Sequence, residues 1–414
     1  MSSPPASAPQ DVAAIRRHNL ALVARLLREQ GELSRTEIAA RTGLAAGAVT
    51  SLAAALIDAG MAREAGIRHV AGSAGRPRRM LAFDGSSVAV VAAHVDASTV
   101  GSLAVDLAGR ELHRATVGHN AAHGDVDTVI ACVAREVGDA LAAAGSAGVR
   151  PAAIGIAVAG VVVTGSGEVA FAPNLGWRHV PLAEALREAL GTGLPILLDN
   201  DANLTAIAEL RALPADSAAR HLVVVSGYVG VGSGVVVDGR LFRGSAGGAG
   251  EAGHLVVAPR GPKCWCGRRG CLEAMAAPPE LARLARLAPE DPADLGAAMA
   301  ELVVRAERGH KGVLRILDDL GGRLGEVAVT LVTVLGSQAV VLGGYYAALA
   351  PWVLPRVEAA LEELRGIDAY RDVEARAGTR GAAAPGGGGA ARGAGRGQGA
   401  PAPIFAPPPP RKGE

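Results

Sequence analysis

The chain has 414 residues and a formal net charge of +1; half of it is hydrophobic, yet it holds only 3 Trp, 4 Tyr and 4 Phe. That length suggests two or three domains with cores of Ala, Val and Leu. Four cysteines, three of them crowded into residues 264–271, exclude a disulfide-framed secreted domain, and no run of about 18 apolar residues suggests a membrane span, so a cytoplasmic protein is expected.

The charge is unevenly spread. Residues 11–80 carry 11 basic and 6 acidic side chains, residues 81–377 carry 25 and 33, and residues 378–414 carry 5 and 1. A basic head on an acidic body points to nucleic-acid contact by one end. In the head, Ile15, Leu22, Val23, Leu26 and Leu27 recur at helical spacing. Ser34-Arg35-Thr36-Glu37 reads as a capping box opening a second helix that stops at Gly43. A third helix carries Val49, Leu52 and Leu56 on one face, and residues 61–83 read as two short extended pieces.

From residue 86 the pattern turns to α/β order. Val88–Val95 is a continuous apolar run, as in a buried strand. Two more strands, a helix over about 125–144 and a strand at Ala153–Ala159 follow. A comparable series restarts near Leu194, so two related lobes are expected, at about 86–194 and 195–376. Residues 378–414 hold 11 Gly and 7 Pro and read as a disordered tail.

Helix, capped helix, glycine turn, helix and strand pair over residues 11–83 form the pattern of a winged helix-turn-helix domain. Phosphate contacts require Arg or Lys, which replace condensed counterions. Arg35 lies at the second helix, and Arg68, Arg76, Arg78 and Arg79 lie in the wing. Thr50 and Ser51 are the polar candidates for base edges near the start of the third helix, which has no Arg, Lys, Asn or Gln.

His254, Cys264, Cys266 and Cys271 supply one imidazole and three thiolates, a tetrahedral zinc set. Four protein ligands leave no open coordination position, so a structural zinc is expected.

The string Gly253-His254, then Cys264-Trp265-Cys266-Gly267-Arg268-Arg269-Gly270-Cys271-Leu272-Glu273, resembles the signature of the ROK family of repressors, open reading frames and sugar kinases. Ala172-Pro173-Asn174-Leu175-Gly176-Trp177, Asp199-Asn200-Asp201-Ala202-Asn203 and Gly250-Glu251-Ala252 agree with it. The resemblance covers residues 12–376, head included. It implies an actin-like, hexokinase-like body of two lobes with a sugar in the cleft, zinc on His254 and the three cysteines, and sugar contacts from Asn200, Asp201, Glu251, His254 and Glu273. In the family's kinases the aspartate matching Asp201 is the general base.

A kinase of this family also needs two glycine turns that admit ATP phosphates. Here Ser98 stands where the first turn would have glycine, and Tyr228 and Val229 replace the opening Gly-Thr of the second. With these substitutions the expectation is a repressor on a double-stranded DNA operator, released by a sugar or sugar phosphate and acting as a homodimer or higher homo-oligomer. Asp201 would be vestigial and kinase activity absent. The alternative is an ATP-dependent sugar kinase with an appended DNA-binding domain.

Overall fold

The computed structural model describes residues 12–68, 78–119, 121, 123–163, 165–213, 219–245, 247–290 and 294–381. The head comprises α1 (Val12–Gln30), β1 (Leu33–Ser34), α2 (Arg35–Thr42), α3 (Ala46–Asp58), β2 (Ala62–Arg68) and β3 (Arg78–Phe83). The capping box is formed: the Glu37 amide donates to Ser34 Oγ at 3.2 Å, and Glu37 Oε2 accepts from the Ser34 amide at 2.8 Å. Gly43 ends α2 in the left-handed region (φ 72°), which glycine enters without steric cost, and α3 leaves at 115° to α2. Val23 and Leu27 of α1, Ile38 of α2, and Val49, Leu52 and Leu56 of α3 bury into one small core with Leu81 of β3.

The body runs through β4 (Val88–Val95), β5 (Thr99–Asp106), β6 (Glu111–Gly118), α4 (Val126–Ser146), β7 (Arg150–Val158), β8 (Val161–Val163), β9 (Glu168–Ala172), β10 (Trp177–Val180), α5 (Leu182–Leu190), β11 (Ile196–Asn200) and α6 (Asp201–Ala212). It continues through β12 (Leu222–Gly227), β13 (Val231–Val237), β14 (Arg240–Phe242), α7 (Leu272–Ala276), α8 (Pro278–Leu284), α9 (Leu295–Glu307), α10 (Lys311–Leu335), β15 (Ala339–Gly344), α11 (Tyr345–Glu362) and β16 (Glu374–Gly381).

Two five-stranded sheets carry the body, in the orders β6-β5-β4-β7-β11 and β14-β13-β12-β15-β16. Numbered within its own sheet, each reads 3-2-1-4-5. In both, strands 1–3 pair antiparallel and strands 4 and 5 add in parallel. The expected architectural repeat is therefore real. In the second sheet Leu222 and Val224 pack toward Ala206 of α6, while Val223 and Val225 pack toward the α7–α11 side. That alternation is the period-2 geometry of a strand, and it places α6 on one face of the second sheet.

Two expected boundaries move. The strand at 195–199 does not open the second lobe: β11 pairs in parallel with β7, Ile196 opposite Ile154 through Asn200 opposite Val158, and completes the first sheet. The lobes therefore meet at Asn200–Asp201. At the other end, β16 carries ordered chain through Gly381, beyond the start expected for the tail at 378. A parallel edge strand needs backbone pairing rather than an apolar side-chain pattern, so Gly378 and Thr379 gave no warning. Thr379 Oγ1 lies 3.2 Å from both carboxylate oxygens of the fully buried Glu209 on α6, and Arg376 Nη1 lies 3.4 Å from one of them. Residues 382–414 lie outside the described residues. Among those described, no single helix is long and apolar enough to cross a membrane.

Candidate functional site at the lobe junction

The site is built around the first turn of α6. Asn200 caps this helix, its Oδ1 accepting from the amides of Ala202 (2.9 Å) and Asn203 (3.1 Å), while its Nδ2 donates to the Gly160 carbonyl at 2.9 Å. The side chain expected to contact sugar thus pins the helix start to the loop after β7. Asp201, 6% exposed, follows directly. Its Oδ1 accepts from the Ala202 amide at 2.8 Å, and its Oδ2 lies 3.8 Å from Nε2 of His94 on β4. A carboxylate at a helix N-terminus is stabilised by the unpaired amides and the helix dipole. Asp199 is paired with Arg243 and also accepts from Asn203 Nδ2 at 3.0 Å.

Glu251 and Glu273 approach from the second lobe. Gly253 lets the 250–254 segment lie against β13: a Cβ there would come within 2.0 Å of the Val231 carbonyl. Glu273 at the start of α7 is occupied at both oxygens. Oε2 accepts from the Val231 amide at 3.0 Å, and Oε1 accepts from the Trp265 indole N–H. A Cβ on Gly230 would collide with the same carboxylate and would lie 3.6 Å from Asn174 Nδ2 of the first lobe. Glu251 has half its side chain exposed; burial and then the charges of Glu273 and Asp201 push its pKa up. Asp201, Glu251, His254 and Glu273 therefore share one electrostatic neighbourhood. His254 links it to the cysteines, with Nδ1 3.7 Å from Cys264 Sγ and Nε2 4.0 Å from Glu251 Oε2.

The four expected metal ligands come together: one ligand atom from each of His254, Cys264, Cys266 and Cys271 lies within 4.8 Å of the others. The Cys266–Cys271 sulfur separation is 3.6 Å. A tetrahedron with metal–sulfur bonds of about 2.3 Å has edges of about 3.8 Å, so the donor set fits a metal ion of that size.

The two turns expected at a phosphate site are the β4–β5 and β12–β13 connections. In the first, Asp96 Oδ1 accepts from the amides of Ser98 (2.9 Å) and Thr99 (2.7 Å), and its Oδ2 accepts from Thr99 Oγ1 at 2.9 Å. In the second, the Tyr228 amide donates to the Gly230 carbonyl at 3.0 Å. The Tyr228 ring is turned inward onto α6, where its hydroxyl meets Thr205; burial, with Asp201 and Glu209 nearby, pushes the phenol pKa up to about 12.

Sequence reasoning missed His94, Arg243 and the placement of Asn174. Each reaches the site from an element distant in sequence, and only Asn174 lay inside a recognised motif.

The head's candidate residues are scattered in role. Thr50 and Ser51 are exposed on α3, but Thr50 Oγ1 donates back to the Ala46 carbonyl at 3.0 Å. Arg35 and Arg79 both pair with Glu64, at 3.4 and 3.3 Å, and Arg68 lies 3.8 Å from Glu37. Arg78 is exposed at the start of β3. Arg76 lies outside the described residues.

A two-lobed α/β body with a buried carboxylate at the lobe junction has the architecture shared by the sugar kinases. The ROK family model matches residues 99–385, and the chain belongs to that family. It is 34% identical over 266 residues to an N-acetylmannosamine kinase of Salmonella typhi, covering 63% of this chain and 88% of that protein. It is 32% identical over 202 residues to a glucokinase of Halalkalibacterium halodurans, covering 46% of this chain and 60% of that protein. A crystal structure of a ROK family transcriptional regulator, a homolog of the E. coli MLC protein, superposes with a TM-score of 0.71 at 24% identity, over 88% of this chain and 92% of that one. That likeness is one of fold, and it spans a share of the chain too large for the body alone.

The expectation that this is not an enzyme is overturned by these relatives, both named as sugar kinases. The physical error lay in reading any side chain at a turn as an obstacle. The Tyr228 ring lies at the lobe junction, between His94 of β4 and α6, and the first turn is closed by the Asp96 carboxylate with serine at 98.

Proposed function

We propose that the chain phosphorylates a sugar bound between its lobes and carries a DNA-binding head that responds to the state of that cleft. The observation that carries this reading is Asp201: a buried carboxylate on the first turn of α6, one oxygen held by a backbone amide and the other facing His94 of β4. In the reaction, a sugar hydroxyl gives its proton to Asp201 as the O–H bond breaks. The hydroxyl oxygen attacks the terminal phosphorus of a nucleoside triphosphate, and the bridging P–O bond breaks to release the diphosphate. Glu251, His254 and Glu273 supply hydrogen-bonding groups for the sugar's remaining hydroxyls. Zinc on His254, Cys264, Cys266 and Cys271 would be structural, fixing the loop that holds Trp265 against Glu273. Coupled ADP release with hexoses and N-acetylated hexosamines tests the reading; turnover of about 1–100 per second is expected, and absence of turnover with every sugar that binds would overturn it.

The head reads as a winged helix-turn-helix acting as a repressor of carbohydrate genes, with two chains on two half-sites. Its net basic charge supports this, as does a fold likeness to a regulator that reaches beyond the body. Arg35, Arg68 and Arg79 sit in partly exposed ion pairs, which contribute only about 0–1 kcal/mol each and so can be exchanged for phosphates. A sugar alters operator affinity only by binding two arrangements of the chain unequally. Operator binding measured with and without each sugar ligand tests this; equal affinity under both conditions would refute the coupling.

A further inference from the structure

His94 has no role in the chemistry above, yet it stands beside the base. Its ring is buried, 6% exposed, and its Nε2 has no hydrogen-bond partner among the described residues. A buried polar atom left without a partner is costly. The atom it faces is Asp201 Oδ2, 3.8 Å away, while the other Asp201 oxygen is already held by the Ala202 amide. Its sheet neighbours offer no polar side chain: Gly101 lies opposite on β5 and Ala157 on β7. The Tyr228 ring packs at 6.2 Å between centroids, tilted by 48°. Asp96, two residues on, has its carboxylate bound into its own turn.

We propose that His94 is a positioning residue for Asp201, forming a histidine–aspartate pair in which the imidazole fixes the direction in which the free Asp201 oxygen points. This inference rests on the reading of Asp201 as the base. A small movement of either ring or carboxylate closes the 3.8 Å gap to hydrogen-bonding distance. The electrostatics agree in sign: burial alone lowers the His94 pKa, but Asp201 and Asp96 outweigh it and the net shift is upward. The charged groups around the ring are thus two carboxylates, with the neutral phenol of Tyr228 on a third side. As pH rises through the raised His94 pKa, the imidazolium is lost and Asp201 is left without its cation.

The full-length chain labelled with 15N-histidine tests the pair directly, with the His94 signal assigned by its absence in His94→Gln and His94→Asn. The expected midpoint lies above the ordinary histidine value and drops by about 1 pH unit or more in Asp201→Asn, as removal of an adjacent opposite charge requires. An unchanged midpoint in Asp201→Asn would overturn the pair, and this holds whether or not the protein turns over sugar. The second measurement is the pH profile of sugar phosphorylation. His94→Gln should shift the profile of kcat with KM little changed, and a profile superposable on that of the unsubstituted chain would overturn the positioning role. Failure of the unsubstituted chain to phosphorylate any sugar would sink the kinase reading alone, with the titration still deciding the pair.

Discussion

The β4–β5 and β12–β13 turns occupy equivalent places in two sheets of identical strand order, and they satisfy their backbone amides in opposite ways. The first is self-contained: Asp96 binds the amides of Ser98 and Thr99 within its own turn. The second is held from outside: the Val231 amide is bound by Glu273, which in turn is held by Trp265 of the cysteine loop. Duplicated topology therefore fixes where a turn lies, while its hydrogen-bond partners decide what it responds to. The first turn depends on one local carboxylate, and the second on the integrity of the cysteine loop more than 30 residues away in sequence.

The sharpest way to break this contrast is Cys266→Ser. Metal binding to Cys/His sites contributes on the order of 10 kcal/mol in small peptides, and a chain that loses it should show zinc content falling toward zero and a lower melting temperature. Hydrogen exchange should quicken at the Val231 amide and stay unchanged at Ser98 and Thr99; equal loosening of both turns would contradict the separation. Asp201→Asn acts on the proposed phosphoryl transfer itself. Phosphoryl transfer should fall by about 10²–10⁴-fold, with sugar binding by calorimetry retained.

Asp96→Ala is the converse of the cysteine variant. It should cost about 1–2 kcal/mol in denaturant unfolding through the unsatisfied amides, and it should leave zinc content intact. The smallest effect is expected from Glu251→Gln. The Glu251 pKa is raised in the folded state by burial and by its acidic neighbours, so ionising it opposes folding. Stability of the two proteins should coincide below the ordinary carboxylate pKa. It should diverge in favour of the variant as pH rises through the raised value, by less than about 1 kcal/mol because the side chain is half exposed.

What was legible in the sequence was what is local. The capping box at Ser34–Glu37 and the set of His254, Cys264, Cys266 and Cys271 declare themselves by spacing; the box forms, and the four residues come together. The buried run of β4 is legible for the same reason. The base candidate was legible only through resemblance, and the Asn200 beside it, expected to contact sugar, caps α6. What escaped was set by long-range pairing. β11 belongs to the first sheet because β7 offers it an edge, and no residue within 195–200 says so. His94 is an ordinary member of an apolar strand until α6 brings Asp201 to it. The kinase question was misjudged because two turn positions were weighed above the rest of the body, which is similar to proteins named as sugar kinases.

The strand at the end of the second sheet also bears on handling the protein. β15 is buried at every position, and β16 covers its outer edge. Shortened to Arg376, the chain would lose the outer half of that cover. Cut before Glu374, it would bare Ala339–Leu342, an apolar parallel strand with unpaired backbone groups, which is the kind of edge that recruits other chains into aggregates. Trimming of the glycine- and proline-rich segment should therefore stop after Gly381, and solubility on expression should fall as the cut moves from there toward residue 373.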